Sequence, residues 1–306
     1  MKKYILKRLL ISVITIWTIA TAAFFLIHLL PGNPFTSSRL MTEDMLASMM
    51  HYYGLDQPLW KQYLTYMGNL LQGDFGYSLK YTGTSVNDII ASTFPISMQL
   101  GLQAWLVAFP TGVLFGIISA HRRGKPADYL LVGVSVLGVS VPVFVVASLI
   151  QYLFAVQLGW FPVARWLSFR YTILPTLALS FSIMAGRTRS MRTLTLEIIH
   201  EDYIKTAKAQ GLSRPGIILR HELRNALIPM IPTMGLEIAS LLMGSFVVES
   251  IFAIPGIGNY FVTSIQNLDY TMTLGLTVFF GIIVVASNFI FDLLYCLIDP
   301  RVRITD

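Results

Sequence analysis

From Leu9 to Leu30 the chain runs for 22 residues without an Asp, Glu, Lys or Arg, and from Thr271 to Phe291 it does so again for 21. A hydrocarbon core of about 30 Å takes about 20 predominantly apolar helical residues to cross, and a backbone in lipid must find its hydrogen bonds within its own structure. The expected fold is therefore all-α and polytopic. Six spans are expected, near 9–30, 96–120, 129–158, 172–187, 229–252 and 273–298. The charged share of 12%, against about 25% in a soluble domain, agrees with that reading. The single Cys296 excludes an internal disulfide and any multi-cysteine metal centre.

Orientation follows from where Lys and Arg fall. Of the 22 basic residues, 17 lie in the N-terminus, the second and fourth connections and the C-terminus; eight of these lie between Arg187 and Arg224. The alternate connections hold the other five, Arg39, Lys61, Lys80, Arg165 and Arg170. Both termini are thus expected in the cytoplasm. The net charge of +6 then reports retention of basic loops and calls for no nucleic acid. The opening apolar run exceeds the core of a cleavable signal, about 7–15 residues, so an uncleaved anchor is expected.

Two connecting segments have helical character. In the external segment 31–95, apolar residues recur at Leu59, Trp60, Tyr63, Leu64, Met67, Leu70 and Leu71, with Asp56 as candidate N-cap and a stop before Gly73. Such a helix would pack on the outer ends of the spans, lie in the headgroup region or dock an external partner. In the cytoplasm, a helix from about Asp202 to Gln210 should stop at Gly211 in a left-handed cap. A second should start at Ser213 with Pro215 in its first turn. Small residues at Ala207, Ala209 and Gly211 leave room there for close approach by another protein.

Inside the spans, small residues four apart (Gly112 and Gly116, Gly235 and Ala239, Ser240 and Gly244) suit close helix crossings. Ionisable groups in lipid are costly and are candidate pathway residues. Glu237 lies deepest, Asp292 follows Asn288 by four residues near the cytoplasmic end, and Glu249 and His28 lie near outer ends. No catalytic set accompanies them. His221-Glu222 lacks the second zinc-binding histidine, Asn225 standing in its place; Gly256-Ile257-Gly258 fails the dinucleotide pattern; and no phosphate loop or nucleophile elbow occurs. The alternative of an intramembrane hydrolase has no nucleophile and base to rest on.

The cytoplasmic segment Asp202–Leu212, followed by Leu219–Pro229, resembles the EAA loop of bacterial ABC importer permeases, in the form found in the peptide and nickel group. Lys205-Thr206-Ala207 stands in place of Glu-Ala-Ala, with only the last residue matching; Gly211 matches the family glycine, and Ala226–Pro229 its closing turn. Weaker agreements run in order along nearly the whole chain, at 30–34, 54–59, 73–78, 244–249, 254–258 and 299–301. The pattern is most similar to oligopeptide permease subunits, with dipeptide, glutathione and nickel permeases as alternatives. The resemblance implies a first span and external segment over 1–95 and a five-helix permease core over 96–306, with the coupling loop at about 192–229, in the bacterial inner membrane. It implies Asp202, Tyr203, Lys205, Thr206, Ala207 and Gly211 as the surface coupled to an ATPase. Glu237, Asn288 and Asp292 are the candidates for the path. It further implies a second homologous permease, two ATPase subunits that bind ATP and Mg, and an extracellular or periplasmic peptide-binding protein, with no cofactor and no catalysis on this chain. A proton-driven secondary transporter with Glu237 as carrier is the rival, disfavoured because no inverted repeat is apparent.

Overall fold

The computed structural model describes residues 2–29, 43–52, 54–81 and 83–298. The basic N-terminus and first span form α1 (Lys2–Leu29). Ala20, Phe24 and Ile27 recur on one face and are buried, and Ile19 packs against Gly281 of α14 (Tyr270–Ile298). In the segment expected outside, α2 (Glu43–Tyr52) and α3 (Leu59–Leu71) follow. The α3 helix starts at Pro58, not at the expected Asp56: Pro58 already has the extended ψ of 140° that precedes a helix. The Asp56 carboxylate instead lies 2.8 Å from His51 Nδ1. Tyr63 and Tyr66 on α3 pack on Phe24, and the Tyr63 hydroxyl is 2.8 Å from Thr21 Oγ1, which seats α3 on the outer end of α1.

α4 (Val86–His121) begins ten residues before the expected second span. Ser85 accounts for this, because its hydroxyl accepts the Asp88 N–H at 3.0 Å and starts the helix outside the membrane. α4 crosses α7 (Phe169–Ile198) at the small pair Gly112 and Gly116. A Cβ on Gly112 would lie 2.9 Å from the Met184 carbonyl, and one on Gly116 2.8 Å from that of Thr188. Glycine is therefore a packing requirement at both positions.

The third expected span is not one rod. It divides into α5 (Pro126–Ser140) and α6 (Val143–Ile150), which continues as a π turn over Gln151–Gln157, and the two parts are bent by 107°. Pro142 causes the break: it lacks an N–H and pushes Val141 into extended backbone, ψ 125°. The fourth span lies within α7, whose thirty residues reach about 45 Å. Only the 16 residues between Arg170 and Arg187 are uncharged.

The hairpin expected in the cytoplasm is α8 (Asp202–Ala209), a turn at Gly211, and a helical path through α9 (Arg214–Ile217), a π turn (Ile218–Glu222), α10 (Leu223–Leu227) and a short 3-10 turn into α11 (Ile231–Leu242). The expected fifth span is thus the end of a helical path that begins in the hairpin, at Arg214. It breaks at Gly244, φ +80°, before α12 (Phe246–Ile251), α13 (Ile257–Gln266) and α14. Among the described residues, Ile5–Leu29, Val86–His121, Arg214–Ile251 and Tyr270–Ile298 are long and apolar enough to cross a membrane. The bent α5–α6 pair makes a fifth when counted as one span.

Two buried carboxylates hold the outer half together. Asp269 accepts from Ser78 Oγ at 2.5 Å, Leu79 N at 3.1 Å and Met272 N at 3.1 Å, pinning the external turn before α4 onto the start of α14. Glu249 is fully buried among Gly244, Gly256 and Gly258, accepting from Ser97 Oγ at 2.7 Å and from the Asn259 N–H at 3.3 Å. The glycine pair that failed as a nucleotide pattern gives this carboxylate its space.

A candidate coupling hairpin and an intramembrane ion pair

α8 is amphipathic. Ile204 and Ala207 face inward and are buried against Ile198 of α7 and Ile217 of α9. This corrects the expectation that Ala207 offers its methyl group to another protein: the small side chain lets α8 lie close on its own chain. The outward face carries Asp202, Tyr203, Lys205, Thr206, Lys208 and Ala209. Lys205 Nζ donates to Asp202 Oδ1 at 2.7 Å, and this pairing lowers the Asp202 pKa and raises that of Lys205, so both groups stay charged in neutral water. Thr206 donates to the Asp202 carbonyl, and Asn225 Nδ2 donates to the Tyr203 hydroxyl at 3.1 Å, tying α8 to α10.

Gly211 has φ +79°, and a Cβ there would meet nothing within 4 Å. Its requirement is conformational: the left-handed backbone reverses the chain so that Ser213 can start the second helix. The turn is left open to solvent on the side away from the bundle.

Behind the hairpin lie two polar knots that no sequence motif marks. Glu222, 2% exposed, lies 2.7 Å from His121 Nε2 at the end of α4. Asp128, 3% exposed, accepts two bonds from Arg192 at 2.8 and 2.9 Å, one from Ser119 Oγ at 2.5 Å and one from the Gly124 N–H at 3.0 Å. These knots join the hairpin, α4, α5 and α7 at one end. The available sequence signal was the crowding of bases after Arg187, which topology alone had seemed to explain. Between the ends of α4 and α7 and the hairpin opens a cavity of about 660 Å³, with His121, Arg123, His200, Lys208 and Arg214 among its lining.

The three path candidates do not form one cluster. Glu237 on α11 pairs with Arg187 of α7, whose Nη1 also donates to Thr233 Oγ1 at 2.9 Å and whose guanidinium lies 5.9 Å from the Phe109 ring centre. Asn288 packs against Gly235, where a Cβ would come within 2.9 Å of its Oδ1. Asp292 pairs with Arg8 of α1 at 2.7 Å, which ties α14 to α1. Arg187, expected among the loop charges, lies within α7 and answers Glu237.

A helical bundle that pairs its intramembrane charges between helices and presents a helical hairpin at its basic end defines a polytopic helical membrane protein. Residues 112–304 match the family described as binding-protein-dependent transport system inner membrane component, and residues 1–101 match the N-terminal region of such membrane components. The chain belongs to this family. It is 43% identical over 305 residues to the oligopeptide transport system permease protein OppB of Haemophilus influenzae, covering 99% of this chain and 100% of that one. It is also 43% identical to the dipeptide transport system permease protein DppB of Bacillus subtilis, covering 99% of each chain, and 40% identical to OppB of Escherichia coli K12, covering 99% and 100%.

Proposed function

We propose that this chain is a permease subunit of an ATP-driven peptide importer of the inner membrane, forming half of the translocation path with a second, homologous permease. The observation that carries the reading is the hairpin: a short helix seated on its own bundle by Ile204 and Ala207, with a polar outer face and an open glycine turn, at the end where basic residues concentrate. Near-full-length similarity to oligopeptide and dipeptide permeases supports peptides as the substrate class. Two ATPase subunits, binding ATP and Mg, would receive the outer face of α8. Asp202, Tyr203, Lys205, Thr206 and Gly211 form the coupled surface and Ala207 its seat. A peptide-binding protein would deliver substrate from outside, and its ligand would decide between oligopeptides and the alternatives of dipeptides, glutathione or chelated nickel.

The mechanism needs only a two-state bundle. Nucleotide binding and release on the partner subunits favour different hairpin positions, and the differential affinity sets how far the equilibrium between inward- and outward-facing states moves. The knots at Asp128 and Glu222 make the hairpin continuous with α4, α5 and α7, so a displaced hairpin carries these helices with it. The test is uptake of labelled peptide by the complex reconstituted in liposomes. Uptake that needs ATP and the loaded binding protein, and that survives a protonophore, is expected. Uptake that collapses with the proton gradient while ATP persists would instead favour the secondary transporter.

A further inference from the structure

α11 has two unlike faces. Ile231, Met234, Gly235 and Ala239 are buried, and Gly235 meets Asn288 and Phe291 of α14. The other face, with Pro232, Thr233, Leu236 and Ser240, is exposed, Arg187 reaching it at Thr233. The Arg187–Glu237 pair lies at the edge of that open face, with side-chain exposures of 11% and 15%. Charged groups at membrane depth face a bundle interior or water rather than lipid, because hydrocarbon solvates them poorly. The partly exposed edge of this pair therefore faces water or protein rather than lipid.

Resting on the reading as a peptide importer, we infer that the Arg187–Glu237 pair lines the translocation path and sets its tolerance for peptide charge. A peptide carries an ammonium and a carboxylate at its ends and side chains of either sign. A path lined by apolar surface alone would give those charges no compensation, and one lined by a single fixed charge would repel half of them. A paired cation and anion present no net charge, yet each can be approached by the opposite charge of a passing peptide. Thr233 and Phe109 hold Arg187 in position from the side, so the guanidinium keeps its place when a substrate charge competes for Glu237.

The test compares three tripeptides that differ only in a central Asp, Ala or Lys, with uptake measured at saturating loaded binding protein so that only passage through the membrane is compared. Glu237→Gln, which leaves Arg187 unopposed, should raise the ratio of Asp-peptide to Lys-peptide uptake about tenfold, and Arg187→Gln should lower it by a similar factor. The exchanged pair Arg187→Glu with Glu237→Arg should return the ratio toward the wild-type value. A ratio unchanged in both single variants, with all three peptides slowed together, gives the pair a purely structural role and overturns the inference. An independent measurement uses Ser240→Cys in a Cys296→Ser background: a charged, water-soluble thiol reagent should modify it in the assembled complex, and no modification removes the face from the path. Absence of peptide uptake by the wild-type complex would overturn the importer reading itself, and this inference with it.

Discussion

Asp128 shows how much one carboxylate can organise. It sits in the first turn of α5, where the helix dipole favours an anion, and its oxygens take four hydrogen bonds from α4, the α4–α5 turn and α7. Removing one member of a buried, bonded pair leaves the other uncompensated and typically costs about 3–5 kcal/mol. Arg192 is 26% exposed and can recover some water, which places Asp128→Ala at the lower end, about 3 kcal/mol. A lowered thermal unfolding midpoint in detergent, with Asp128→Asn intermediate, is the expected result; an unchanged midpoint would remove the knot from the account of stability. Ser119 and Gly124 lie within ten residues of Asp128, but no local pattern marks it, because the two bonds that pair its charge come from Arg192, 64 residues further on. Glu237 was conspicuous as an isolated acid in an apolar run, whereas its partner Arg187 was hidden among the basic residues that report topology.

At the scale of elements, the hairpin makes separable predictions for Gly211 and Ala207. The left-handed backbone at Gly211 costs a side-chain-bearing residue about 1–2 kcal/mol, with Asn the best tolerated. Gly211→Asn should therefore retain more ATPase association than Gly211→Val, measured by co-purification, since neither side chain meets its own chain. Ala207→Asp should act differently, by placing a carboxylate against Ile198 and Ile217. Hydrogen exchange over 202–211 should accelerate while the variant remains in the membrane; unchanged protection would mean that α8 is not seated through Ala207. The hairpin was legible because its signals are local: an apolar spacing, a glycine and a proline in a first turn. The start of α4 and the break between α5 and α6 have local causes too, Ser85 and Pro142, but apolar runs at the spans obscured both.

For the whole molecule, the distribution of basic residues makes a statement about sidedness. In a Cys296→Ser background, Asn69→Cys on α3 should react with a membrane-impermeant maleimide from outside in right-side-out vesicles. Lys208→Cys on α8 should react only after permeabilisation. The reverse pattern would invert the orientation and leave the hairpin on the wrong side for an ATPase.

The sequence by itself determined that this chain lives in a bilayer, roughly where its helices lie, and that a helical hairpin follows α7. These properties depend on hydrophobic run length and on backbone preferences that act within one turn of helix. Only the tertiary structure decided that Ala207 faces inward, that Glu249 is buried in a glycine-walled knot, and that Asp292 answers Arg8 while Glu237 answers Arg187. Partners in an ion pair are selected by which helix faces meet, and in an apolar bundle nearly every face is hydrophobic enough to meet several others. The few charges left at membrane depth depend on that choice, because each must find its opposite where water is excluded.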